Sequence, residues 1–193
     1  MGIFLVGLVL FLGIHTVSIV APRWRGEQVA RLGEMPWKGL YAVIAAVGLV
    51  LLVYGYGMAR QAPLVLYTPP TGLRHVALLL MVPVFPLLVA AYVPGRISAA
   101  AKHPMLLATK IWATAHLLAN GTLPDVLLFG GFLAWAVADR ISLKRRPPER
   151  KPGAPARPYN DVIVVVVGLV VYAVFVLRLH QWLFGVSPLP SLK

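Results

Sequence analysis

The chain has 193 residues, 59% hydrophobic and only 12% charged, with 18 Lys and Arg against 6 Asp and Glu and a formal net charge of +12. Long apolar runs broken by Pro-, Gly- and Arg-bearing connectors exclude a soluble fold, and basic residues placed between those runs, not along a groove-facing element, exclude a nucleic-acid reader. The absence of cysteine excludes disulfides, iron–sulfur ligation and thiolate nucleophiles, which leaves metal or heme ligation to His, Met or carboxylates.

A bilayer span needs about 20 mostly apolar residues, or about 17 at the short limit. Six stretches qualify: 2–20, 37–58, 75–93, 104–120, 123–140 and 161–184. The predicted fold is therefore all-α, a polytopic membrane helix bundle of about six transmembrane helices forming a single domain over 1–193, with every backbone group satisfied inside helices. The first run opens MGIFLVGLVLFLGIH without a leading positive charge and ends at Ala21-Pro22, so it reads as an uncleaved helix. Its Met-Gly start lacks the Ser or Thr that myristoylation expects, since position 6 is Val. His15 lies well within this segment, where a neutral imidazole must either bond to a neighbouring helix or bind a metal.

Connector 21–36 carries Glu27 and Glu34 among its arginines and is expected to fold as a short interfacial helix. Trp24, Trp37 and Trp182 fall near segment ends, where amphipathic rings settle at headgroup depth. His75 opens the third segment beside Arg74. Segment four holds Trp112, His116 and Asn120 at i, i+4 and i+8, stacked on one helix face that should point into the bundle. Lys110 is about 120° away from His116 around the axis and is expected to snorkel. His103-Pro104 marks the mouth of this helix, because proline is common at the first helical position.

Asn120-Gly121-Thr122-Leu123-Pro124 is a turn that also starts a helix, so segments four and five form a tight antiparallel hairpin. Asp125 and Asp139 lie at the ends of segment five, where charges are expected to reach water. Connector 141–160, ISLKRRPPERKPGAPARPYN, is a basic, Pro-rich loop apposed to the membrane. His180 is an interfacial residue near the end of segment six. Positive charge concentrates on alternate connectors, around Arg23–Lys38, at Arg96 and Lys102, and from Arg140 to Arg157. By the positive-inside rule these are cytoplasmic, and both termini face outward.

No P-loop, G-x-S-x-G elbow or H-E-x-x-H motif is present. Histidines on different helices are the chemical lead, since two imidazoles facing each other across a bundle commonly hold a heme b.

The runs GIHTVSIVAPRWRGEQVARLGEMPWKGLYAVIA, KHPMLLATKIWATAHLLANG and FLAWAVADRISLKRR resemble the NnrU family of bacterial membrane proteins over nearly the whole chain. The resemblance implies a multi-pass protein of the bacterial inner membrane, associated with denitrification through active nitrite and nitric oxide reductases. The family is also similar to the plant ζ-carotene isomerase, which uses heme b. That likeness implies heme b on His15 and His116 as metal ligands, with Trp112 and Asn120 lining the cofactor. Ala113 stands where the isomerase has a cysteine proposed to exchange with the second ligand, so a redox-gated switch through that residue is not carried over.

Counted at 1.5 Å per residue, His15 and His116 differ in depth by about 10 Å, and His75 is the alternate partner for His116. The implied function is redox sensing, electron transfer or heme-dependent chemistry on a lipid-soluble substrate. The alternative is a membrane assembly or maturation factor for denitrification reductases, with a reductase or maturation protein as partner.

Overall fold

Helix-start chemistry sets the frame of the bundle. A computed structural model describes residues 1–146 and 153–189. Helix α1 runs Gly2–Val20. Pro22 then begins α2, Pro22–Leu32, at a first-turn position where a missing N–H costs nothing. This is the short helix expected in connector 21–36. Gly33, at φ 88°, breaks it from α3, Glu34–Ala59; that left-handed backbone is one glycine adopts without strain.

The third predicted span is two helices, α4 (Gly72–Met81) and α5 (Val84–Ala90). Pro83 sits in the break, because its ring crowds the preceding turn and it has no N–H to offer. A short α6, Arg96–Ala101, leads to α7, Pro104–Ala119, again with proline at the start. Helix α8, Leu123–Leu143, opens with a capping box in which Thr122 and Asp125 satisfy each other's neighbouring N–H groups. Helix α9, Asn160–Val174, continues through a π-turn at Phe175–Leu179 into α10, His180–Phe184. The predicted hairpin is thus α7–α8, and part of the predicted basic loop, residues 147–152, lies outside the described residues.

Among the described residues, five helical stretches are long and apolar enough to cross a membrane: Gly2–Val20, Glu34–Ala59, Gly72–Ala90, Leu123–Leu143 and Asn160–Phe184. Helix α7 has 16 residues, about 24 Å at 1.5 Å per residue, against a hydrocarbon core of about 30 Å. The protein is a multi-pass helical membrane protein. Its exposed side chains fit that setting: Val6 and Val9 of α1, Val43 and Val50 of α3, and Val166 and Val170 of α9 all face outward, where lipid is the natural cover.

The principal pairings run α3–α1–α8–α7, then through α4 and α5 to α9. Helices α1 and α3 touch backbone to backbone. A Cβ on Gly7 would lie 2.2 Å from the amide nitrogen of Leu52, and one on Gly55 2.3 Å from that of Phe4. Small residues at such crossings gain dispersion contacts, which drive helix association where lipid is as apolar as leucine. Phe4, Leu52, Ala113, Leu128 and Phe129 form one core cluster, and Val84, Leu87 and Ala108 form another. Trp112 packs against both, so the α7 face carrying the sequence motif is the seam of the molecule.

Candidate functional site

Trp112, His116 and Asn120 share a face of α7, as their spacing predicts. The His116 ring stacks on Phe129 of α8, with centroids 4.6 Å apart and planes at 28°, and lies 5.2 Å from the Trp112 ring. Its Nδ1 donates to the Trp112 carbonyl at 2.9 Å. A carbonyl can only accept, so the proton of the neutral ring is on Nδ1 and the Nε2 lone pair is left over.

His15 repeats the arrangement on α1. Nδ1 donates to the Phe11 carbonyl at 2.6 Å, and the ring lies 4.4 Å from Phe11, 5.3 Å from Tyr41 and 5.9 Å from Trp135. Among the described residues, the buried indole Nε1 of Trp135 has no hydrogen-bond partner. Both histidines are part-buried and both are oriented by the turn below them.

The two imidazoles are linked by an unbroken series of rings. Phe132 of α8 lies 5.7 Å from Phe11 and 5.5 Å from Trp112. Phe129, Phe132 and Trp135 are three residues apart in sequence and put their rings toward α1 and α7. His116 meets the Phe129 level and His15 the Trp135 level, an offset of about 9 Å for six residues of helix.

The other predicted site residues are placed as follows. Asn120 turns its side chain back on its own helix, with Nδ2 donating to the His116 carbonyl at 2.9 Å. His75 is exposed on α4 and makes no hydrogen bond or ring contact among the described residues. Lys110 is half-buried. His103 is the N-cap of α7. His180 follows the π-turn, donates from Nδ1 to the Val186 carbonyl at 2.7 Å, and sits between Phe175 and Phe184.

Asp125 corrects the expectation that it reaches water: it is 5% exposed. One carboxylate oxygen accepts from the Tyr56 hydroxyl of α3. The other accepts from the Thr122 N–H at 3.1 Å and from its hydroxyl at 2.6 Å. Beside it, connector 60–71 folds over the α7–α8 turn. Leu123 donates its N–H to the Leu64 carbonyl at 2.8 Å, and Leu66 donates to Gly121 at 2.9 Å. The Tyr67 hydroxyl shares its one proton between the carbonyls of Leu117 and Asn120. Gly121 permits this approach, since a Cβ there would lie 2.0 Å from the Tyr67 carbonyl oxygen. Burial, and then the Asp125 charge, push the Tyr67 phenol above its ordinary value. Asp139 is likewise largely covered, and pairs with Arg146.

The sequence model of a family described as NnrU protein matches residues 3–188, nearly the whole chain. No curated protein and no solved structure matches.

Proposed function

The chain belongs to the NnrU family, and on that premise we propose that it is a heme b-binding protein of the bacterial inner membrane that supports denitrification, the reduction of nitrite and nitric oxide. One observation carries this reading. On two different helices an imidazole is held by its Nδ1–H on the carbonyl four residues back, with Nε2 free of hydrogen bonds among the described residues. An outer partner that fixes the tautomer and ring plane is the usual preparation of a metal-ligating histidine.

The donor chemistry of His15 and His116 therefore suits iron porphyrin. The packing between them sets a condition. Phe132 stands in the ring series, so sharing one macrocycle between both histidines requires Phe132 to swing aside. Trp112 and Phe129 press on the His116 ring, fix its plane and keep water from it. Iron porphyrin, if held there by His15 and His116, would supply one-electron redox chemistry. Redox sensing or electron transfer accordingly asks less of this chain than chemistry on a lipid-soluble substrate, which would need one ligand to leave.

The test is the absorption spectrum and pyridine hemochrome assay of the detergent-purified chain. The wild type is expected to show a Soret band, His116→Ala to lose it, His15→Ala to change the coordination signature, and His75→Ala to leave it unaltered. A colourless wild type produced with full heme supply refutes the reading.

The ring series itself favours a second reading. Both histidines serve as joints between α1, α7 and α8, as expected of a non-enzymatic assembly or maturation factor for denitrification reductases. Under that reading, a reductase or maturation protein co-purifies and is lost on charge reversal within 140–157, while histidine substitutions are tolerated.

A further inference from the structure

An open cavity of about 390 Å³ lies where α9 meets the turn before α6, lined by Gly95, Arg96, Arg157, Pro158 and Asp161. Its walls are fixed by hydrogen bonds. The Asp161 carboxylate accepts from the N–H of Arg96 at 3.0 Å and of Ile97 at 3.1 Å. Asn160, 3% exposed, donates to the carbonyls of Pro94 at 2.7 Å and Pro155 at 3.1 Å. Ala154 donates its N–H to the Tyr92 carbonyl at 2.8 Å. The stretch 154–161 is thereby stitched to 92–97, which holds Arg96 and Arg157 at one cavity.

Among the described residues, charge in the cavity does not balance. The Asp161 carboxylate lines it too, but both its oxygens are committed to backbone N–H groups. Arg157 gives one guanidinium nitrogen to the Tyr159 hydroxyl. The Arg96 side chain has neither ion pair nor hydrogen bond among the described residues. Among the described residues lining the cavity, two arginines with donors to spare therefore accompany a single committed carboxylate. Guanidinium forks match phosphate oxygens in geometry and charge.

The surroundings select the kind of phosphate. Tyr92 and Tyr159 are exposed beside the cavity, at 56% and 47%, as expected of rings at headgroup depth. The apolar face of α9 begins directly after it with Val162, Ile163 and Val166 exposed. A free ion has no use for that surface; an acyl chain does. We propose that this cavity binds the phosphodiester of an anionic phospholipid, with Arg96 and Arg157 on the headgroup and α9 against the chains. Basic pockets between membrane helices bind such headgroups. The assignment is independent of heme.

The test uses the full chain, delipidated in neutral detergent and titrated with phosphatidylglycerol or phosphatidylcholine, with bound lipid counted by native mass spectrometry. The wild type is expected to hold one phosphatidylglycerol at least tenfold more tightly than phosphatidylcholine. Arg96→Gln with Arg157→Gln should bring the two lipids to parity, while Arg74→Gln, in the first turn of α4, keeps the preference. Equal binding of both lipids by the wild type, or undiminished preference in the double variant, overturns the proposal. Displacement of the lipid by inorganic phosphate at equal concentration assigns the cavity to free anions and also overturns it. A photoactivatable phosphatidylglycerol gives a readout that needs no variant: its crosslinks should map to 92–97 or 157–166, and crosslinks solely elsewhere overturn the assignment.

Discussion

Removing the carboxylate of Asp125 should destabilise the bundle more than any other single polar change at that end. Asp125→Ala leaves the Tyr56 hydroxyl, the Thr122 N–H and the Thr122 hydroxyl without their acceptor, at a position only 5% exposed. A hydrogen bond to a charged acceptor contributes about 1.5–3 kcal/mol, and an orphaned buried donor costs about 1–3 kcal/mol. The hydroxyls can rotate toward other acceptors, so the three losses do not add in full, and about 4 kcal/mol is expected. Asp125→Asn still accepts from Tyr56 but presents an amide to the Thr122 N–H; about 2 kcal/mol is expected. Tyr56→Phe alone should cost about 1.5 kcal/mol, and less than half of that in the Asp125→Ala background, because the partner is already gone. Equilibrium unfolding in mixed micelles, run as a double-mutant cycle, measures all four proteins. A cost for Asp125→Ala within 0.5 kcal/mol of zero, or full additivity with Tyr56→Phe, would refute the claim that this carboxylate clamps α3 to the α7–α8 hairpin.

Gly55→Ala drives a methyl to 2.3 Å from the Phe4 nitrogen, whereas Gly57→Ala meets nothing within 4 Å; the first should cost about 3 kcal/mol and the second should be neutral or stabilise by up to about 1 kcal/mol, read as melting temperatures in one detergent. Gly121→Ala should separate connector 60–71 from the hairpin and speed proteolysis within 60–71, with Tyr67→Phe a milder version at about 1 kcal/mol. The raised Tyr67 phenol favours its neutral form in the fold, so its contribution is complete below its ordinary value of 10.0 and is lost as pH rises through the higher folded value; Tyr67→Phe should flatten the alkaline fall in stability. Phe132→Ala should cost about 3 kcal/mol as a cavity in the apo chain, yet raise heme occupancy where His15 and His116 share a macrocycle; an occupancy that falls with stability counts against that sharing.

The frame was legible because local chemistry writes it. Pro22 and Pro104 start helices, Asn120-Gly121-Thr122-Leu123-Pro124 makes the hairpin, and the apolar runs locate every span. The Trp112–His116–Asn120 face followed from spacing alone. What escaped depends on distant partners. Asp125 sits one residue after a turn proline, a place that usually sees water, yet Tyr56 of the distant helix α3 bonds to it and it is buried. Asn120 is polar on an inward face, yet its own helix satisfies it. The ring series from His15 to His116 needs Phe132, whose position in an apolar run carries no mark of its role. The break in the third span also escaped, since the apolar run 75–93 reads as one helix, although Pro83 with its missing donor stands at the break.

Where glycine lets α1 and α3 meet through their main chains, no layer of side chains remains to shear, and the two helices must travel as one plate. His15 is bolted to that plate and His116 to the hairpin beside it. Any widening between them falls to the α8 joint, so a mechanical cycle in this protein would be a door swinging on a fixed wall.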